Sequence, residues 1–174
     1  WRLERTTGES IKVVVQDSTP TTILDAFTAV DLAEAADGWV HVYVSVDLSS
    51  TGNRAFYVNG VSGSPTWTTY NTAGVMALDR THLNIGADDS LGSDYSGQIA
   101  ELWVDDAYWP AATYIGNFYA AGAPVSLGSG GATPTGSAPD LYMRFISGAL
   151  GANSGADGGT GTLAGDVADG PTFP

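Results

Sequence analysis

The chain has no cysteine, which removes disulfides, thiolate metal sites and cysteine nucleophiles together. Secreted eukaryotic β-domains of this size often carry a disulfide, so the absence favours a bacterial or viral source. Basic residues are scarce: 6 Lys and Arg stand against 19 Asp and Glu, for a net charge of -13. Nucleic-acid backbones are gripped by Lys and Arg that displace counterions, so that partner class is excluded. An anionic membrane surface is disfavoured on the same ground. No apolar run is long enough to span a bilayer, so membrane insertion is not expected, and no signal peptide is visible. The sequence opens on Trp1 rather than Met, which points to a portion of a longer polypeptide.

What is present is a chain of 174 residues, 43% of them hydrophobic, enough for one domain with one core. Most of it reads as short strands between turn residues. In "SIKVVVQD", Ile11, Val13 and Val15 share one side, and "TTILDAFTAV" follows a break at Thr19 and Pro20. The longest signal is "GWVHVYVSVDLSSTGNRAFYVNG". Val40, Val42, Val44, Val46 and Leu48 fall on one face at period two, and Trp39, His41 and Tyr43 on the other. "SSTGN" is a connection of hairpin type, and "RAFYVNG" returns with Phe56 and Val58 on one face. The valine face is read as core, and the Trp39/His41/Tyr43 face as outer or concave, partly covered by loops or by a neighbouring subunit.

"VSGSPTWTTYNTAG" reads as a loop and an irregular strand, and "LAEAADG" is the only early segment with helical leanings. "HLNIGA" and "GQIAELWVDD" are two more strands joined by the acidic loop "DDSLGSDYS". "PAATYIGNFYAAG" starts at Pro110 and fits a short helix. After the Gly/Ser/Pro-rich "GSGGATPTGSAP", "DLYMRF" gives a late strand with Leu141, Met143 and Phe145 aligned. Residues 147–174 are rich in Gly, Ala and Asp and are expected to form an extended C-terminal arm, beyond a domain at 1–146. The fold class is all-β: an antiparallel two-sheet jelly-roll β-sandwich with one short helix.

The Trp39-led valine strand, the polar hairpin and "FYVNG" resemble the central hairpin of laminin-G-like, concanavalin A-like jelly-roll domains. "LNIGA…YSGQIAELWV" is similar to that family's next strand pair, and the resemblance covers roughly residues 10–145. It implies a strand before Arg2 that is short or missing here. The style of "YVNG" and "SGQIAEL" resembles such domains in bacteriophage tail and head-fibre proteins.

The enzyme classes fail on their residue requirements. A retaining glycosidase needs paired carboxylates about 5 Å apart, and jelly-roll hydrolases commonly carry them as Glu-x-Asp-x-x-Glu. In "AELWVDD", Glu101, Trp103 and Asp105 share a face with Asp106 at the strand end, but no second Glu follows; the other glutamates are Glu4, Glu9 and Glu34. Neither histidine, His41 or His82, accompanies a Gly-x-Ser-x-Gly elbow. Asp88, Asp89 and Asp94 are the metal candidates, with calcium as the ion and a solvated turn as the alternative. "NSGADGGTG" is a single unit of the kind found in calcium-binding glycine-rich repeats.

The glycan-binding or contact candidates are Trp39, His41, Tyr43, Trp67, Tyr70, Tyr95 and Trp109. Core packing and oligomer contacts explain such rings equally. The expectation is a non-enzymatic structural or adhesion protein, a virion component of a bacteriophage (tail or head fibre, or decoration) with glycan attachment. Its partners would be other virion subunits or itself, as a homo-oligomer, and a cell-surface glycan, and its location virion or extracellular. The competing expectation is a carbohydrate-binding module of a larger secreted bacterial protein.

Overall fold

The computed structural model describes residues 2–6, 10–29, 39–76, 99–145 and 149–160. They form antiparallel sheets with one short helix, an all-β chain. The chain divides into two compact units: Trp1–Leu78 with Ala107–Ser126, and Asp79–Asp106 with Leu127–Pro174.

In the first unit, β1 (Arg2–Arg5), β2 (Ile11–Gln16), β3 (Thr22–Phe27) and β7 (Thr66–Tyr70) form a four-stranded sheet in the order β1-β2-β3-β7. β1 begins at Arg2 and pairs with β2 from Arg2↔Val14 to Arg5↔Ile11. A second sheet holds β4 (Val42–Val46), β5 (Arg54–Val58) and β6 (Val61–Ser62). Ile11, Val13, Val15, Ile23, Leu24 and Ala26 from the first sheet and Phe56 and Val58 from the second belong to one buried cluster. Val40, Val42, Val44 and Val46 pack against it, as the alternation in sequence requires. Each large side chain so buried contributes about 1.5–3 kcal/mol relative to exposure.

Local chemistry sets the turns. The β2–β3 link is held by Asp17, whose Oδ1 accepts from the Thr19 and Thr21 amides at 2.8 and 2.9 Å. Asp47 does the same between β4 and β5. Its carboxylate accepts from the Ser49 amide at 2.9 Å, the Ser49 hydroxyl at 2.7 Å and the Asn53 amide group at 2.8 Å. Those hydrogen bonds hold the carboxyls of Asp17 and Asp47 below the usual carboxylate range. Between β5 and β6, Asn59 and Gly60 take φ of 50° and 74°, the doubly left-handed pair of a two-residue hairpin.

The helix α1 (Ala111–Phe118) begins directly after Pro110, where the sequence placed its start. It runs into β9 (Tyr119–Ala120), which pairs with β10 (Ala123–Pro124).

In the second unit, β8 (Leu102–Val104) pairs with β11 (Leu141–Met143), with Tyr142 opposite Trp103. The expected alignment of Leu141, Met143 and Phe145 is not what is buried. Tyr142 is fully buried beside Met143, Leu141 is half-buried, and Phe145 leaves the strand with φ 51°. The described part of the expected arm, residues 149–160, returns along β11. Asn153 Oδ1 accepts from the Tyr142 and Gly155 amides at 2.8 Å each, and the Ser154 amide donates to the Tyr142 carbonyl at 2.8 Å. Gly155 is required there, since a Cβ would stand 2.5 Å from the Pro139 carbonyl oxygen. "LAEAADG" and "HLNIGA" lie outside the described residues.

The Asn59–Gly60 turn yields a direct test. A Cβ at Gly60 would sit 2.6 Å from Tyr119 Cδ1, while Gly122, at φ 82°, has nothing within 4 Å. Gly60→Ala and Gly122→Ala both cost the left-handed backbone term of about 1–2 kcal/mol. Gly60→Ala additionally displaces the Tyr119 ring, so chemical denaturation is expected to show the larger loss there. Equal losses would contradict the packing of Tyr119 on this turn.

Candidate functional site

The face of β4 opposite the valines carries its own packed layer. Tyr43 is buried, at 7% exposure, with its ring 5.3 Å from that of Phe118 at the end of α1. Its hydroxyl donates to the Trp109 carbonyl oxygen, and burial pushes the phenol up to about 12. Ser45, on the same face, is also buried. His41 is half-buried, its ring 5.2 Å from Tyr119 and its backbone amide donating to Asn59 Oδ1 at 2.8 Å. Its Nδ1 is buried without a hydrogen-bond partner. Desolvation therefore lowers the imidazole from 6.5 to about 4. This is a histidine held neutral within the packing. Trp109, half-buried, meets Tyr114 edge-on at 4.9 Å. The outer face is thus closed by α1 and its flanks, and Tyr43 presents no ring face to solvent.

A second aromatic group forms on the core side. The β3–β7 pairing slips between Asp25 and Ala26, so Leu24 faces Tyr70, Ala26 faces Trp67, and Thr68 is the extra residue. Leu24 and Ala26 lie on one side of β3, so the bulge brings Trp67 and Tyr70 to one side of β7 although they stand three positions apart. Both pack against the shared cluster. Between them reaches Arg54, with Cζ 5.0 Å from each ring centroid, and the two rings meet edge-on at 5.7 Å. The Tyr70 hydroxyl donates to the Asp47 carbonyl at 2.8 Å and lies 3.1 Å from that of Asn53, tying β7 to the β4–β5 turn.

Beside this group, the edge of β5 that β6 borders is paired only in part among the described residues. The short β6 covers only Tyr57 and Val58. Next to the uncovered part lies a cavity of about 280 Å³ lined by Arg54, Tyr57, Ser62, Pro65, Tyr108 and Pro110, among others. Among the described residues no carboxylate lines it.

The second unit gathers acids. Asp105, Asp106 and Asp140 each place a carboxylate oxygen within 4.8 Å of the others, an oxygen set suited to a hard divalent cation. Asp140 Oδ2 also accepts from the Asp106 amide at 3.0 Å. Pairing of β8 with β11 creates this trio from positions far apart in sequence, which no local spacing signals. At the other end of the strands, the buried Tyr142 hydroxyl donates to Glu101 Oε1 at 3.0 Å, and burial with the neighbouring Glu101 charge raises the phenol. Glu101 is thus a hydrogen-bond acceptor for a neighbouring strand. Trp103 Nε1 donates to the Gly131 carbonyl at 2.9 Å. Asn153, in the glycine-rich unit, spends its amide on backbone partners, including the Gly158 carbonyl at 2.6 Å.

Of the sequence candidates, Tyr43, His41 and Trp109 belong to the α1-covered layer, and Trp67 and Tyr70 to the Arg54 group. Trp39 is half-buried. Asp88, Asp89, Asp94, Tyr95 and His82 lie outside the described residues.

His41 makes the closed face measurable. Its depressed folded value means that the unfolded chain binds the extra proton between about pH 6.5 and 4. Stability contributed by neutral His41 is complete above that window and falls as pH drops through it. Asp17 and Asp47 add a separate loss below 3.8. An NMR titration of the folded protein is expected to show one imidazole changing near pH 4; His41 titrating near 6.5 would contradict the packed layer.

No protein-family model matches the chain, and no curated protein and no solved structure matches it either.

Proposed function

We propose that the chain is a non-enzymatic structural or adhesion protein with a concanavalin A-like jelly-roll sandwich, serving as a bacteriophage virion component that attaches to glycan. One observation carries the reading: among the described residues Asp17, Asp47, His41 and Glu101 are engaged in holding the chain's own loops and layers, while an aromatic cavity with no described carboxylate in its lining opens beside β5. Asp17 and Asp47 pin turns, His41 is buried against Tyr119, and Glu101 accepts from Tyr142. A general acid or base must be free to exchange a proton with a substrate, and these groups are occupied in turns, in packing or in a hydrogen bond within the chain. Two antiparallel sheets contributing to one buried cluster support the sandwich architecture. Partners are other virion subunits or a second copy, in a virion or extracellular setting.

A second reading, a carbohydrate-binding module of a larger secreted bacterial protein, is favoured by that same cavity, which is complete within one unit of one chain.

Light scattering of the purified chain, with and without calcium, separates the two. The assembly reading expects a trimer or larger. A clean monomer under both conditions would overturn it and leave the tethered module.

A further inference from the structure

We propose that the outer edge of β1 is a contact between two copies of this chain, joined antiparallel about a two-fold axis through Leu3. The inference rests on the homo-oligomer part of the reading above and locates the surface.

Among the described residues β1 is the outer strand of the four-stranded sheet, paired with β2 on one side only. In an antiparallel ladder, residue pairs that exchange hydrogen bonds alternate with pairs that do not. The Thr6 amide donates to the Ser10 carbonyl at 2.8 Å, one step beyond the Arg5↔Ile11 pair. By alternation, Glu4↔Lys12 and Arg2↔Val14 are hydrogen-bonded pairs, and Leu3↔Val13 and Arg5↔Ile11 are not. Ile11 agrees, since its carbonyl accepts instead from the Thr28 amide at 2.9 Å. The N–H and C=O of Leu3 and of Arg5 therefore point away from β2, where a further strand can pair with them.

That parity leaves two places for a two-fold axis, and charge chooses between them. An axis through Arg5 would set this residue opposite its own copy, like charge on like. An axis through Leu3 lets the two Leu3 residues exchange both backbone hydrogen bonds, and it sets Arg2 opposite Glu4 of the second copy, twice. Those flanking positions form a non-hydrogen-bonded pair, where Cα atoms stand about 4.5 Å apart and side chains come closest. Arg2 and Glu4 share one face, 2.9 Å apart, with side chains 59% and 35% exposed. Glu4 would then lie between Lys12 and Arg2 of the second copy, so charge alternates in sign across the joined sheets. On the other face, level with the buried Val13, Leu3 is 46% exposed, and the two leucines cover each other. A chain with 19 acids against 6 Lys and Arg repels its own copies over most of its surface. β1 holds two of those six cations, Arg2 and Arg5, so a self-contact is least opposed there. The contact is isologous and therefore closed.

Amide exchange and solution mass of the whole chain form the test, followed up to about 1 mM because one short strand binds weakly. Raising the concentration is expected to slow exchange of the Leu3 amide about tenfold or more, while the Glu4 amide, bonded within the chain, stays protected throughout. The mass should move from one chain towards two, or to an even number in a larger assembly. Arg2→Glu and Glu4→Arg each set like charges opposite one another at both flanks. Each alone is expected to weaken the pairing about tenfold or more. Mixed in equal amounts they restore it, because the acids of one variant then face the arginines of the other. Recovery on mixing also shows that both variants fold. A mixture as weak as its components would overturn the pairing about Leu3. A trimer, or an assembly indifferent to both substitutions whose Leu3 amide exchanges freely, would overturn this contact and leave the homo-oligomer reading standing. A monomer at every concentration would overturn both.

Discussion

Strand β4 is packed on both sides, and the organisation of the first unit depends on that. Its valines meet the cluster shared with the four-stranded sheet, and its Tyr43 and Ser45 meet a second layer built from α1 and its flanks. A strand with one wet face would leave that face as a platform for ligand. Here the platform is occupied, and among the described residues the cavity lies instead beside β5, where β6 stops short. The place of the cavity follows from how β4 is buried.

Magnitudes show which contacts build the structure and which aim it. Burial of Phe56, Val58, Leu24 and Ile23 supplies the larger stabilisation, at about 1.5–3 kcal/mol for each large side chain. The stacking of Arg54 on Trp67 and Tyr70 is worth about 0.5–2 kcal/mol. It adds little to that total but fixes where one of the few cations sits. The Asp47 carboxylate holds the β4–β5 turn and the Tyr70 hydroxyl ties that turn to β7, through directional hydrogen bonds at exposed or half-buried positions. Apolar area holds the first unit together, and polar groups set the geometry of its loops. In the second unit Asn153 contributes in this way, joining the returning segment to β11.

Legibility in the sequence followed the range of each interaction. The valine alternation, the hairpin connection at "SSTGN" and the helix after Pro110 are encoded within a few residues, and each stands where pattern placed it. The pairing of Trp67 with Tyr70 was hidden, because period two sets positions three apart on opposite faces and only the bulge at Thr68 reunites them. The cover over Tyr43 was hidden too, since it comes from Trp109 and Phe118, more than sixty positions away. Burial of the Tyr142 ring was not legible, because it depends on its hydroxyl finding Glu101. The Asp105/Asp106/Asp140 trio and the cavity at β5 are likewise products of strand pairing. Composition did carry one part of the site: in a chain so short of cations, the location of each Arg is informative.

The central claim is that α1 closes the Tyr43 face of β4. A double-mutant cycle in chemical denaturation, with Tyr43→Leu and Phe118→Leu alone and together, measures that closure directly, because the hydroxyl lost to Trp109 cancels between the arms. Rings 5.3 Å apart and tilted by 58° should couple by about 0.5–1.5 kcal/mol. Strict additivity of the two substitutions would contradict the account and return the Tyr43 face to the list of open surfaces.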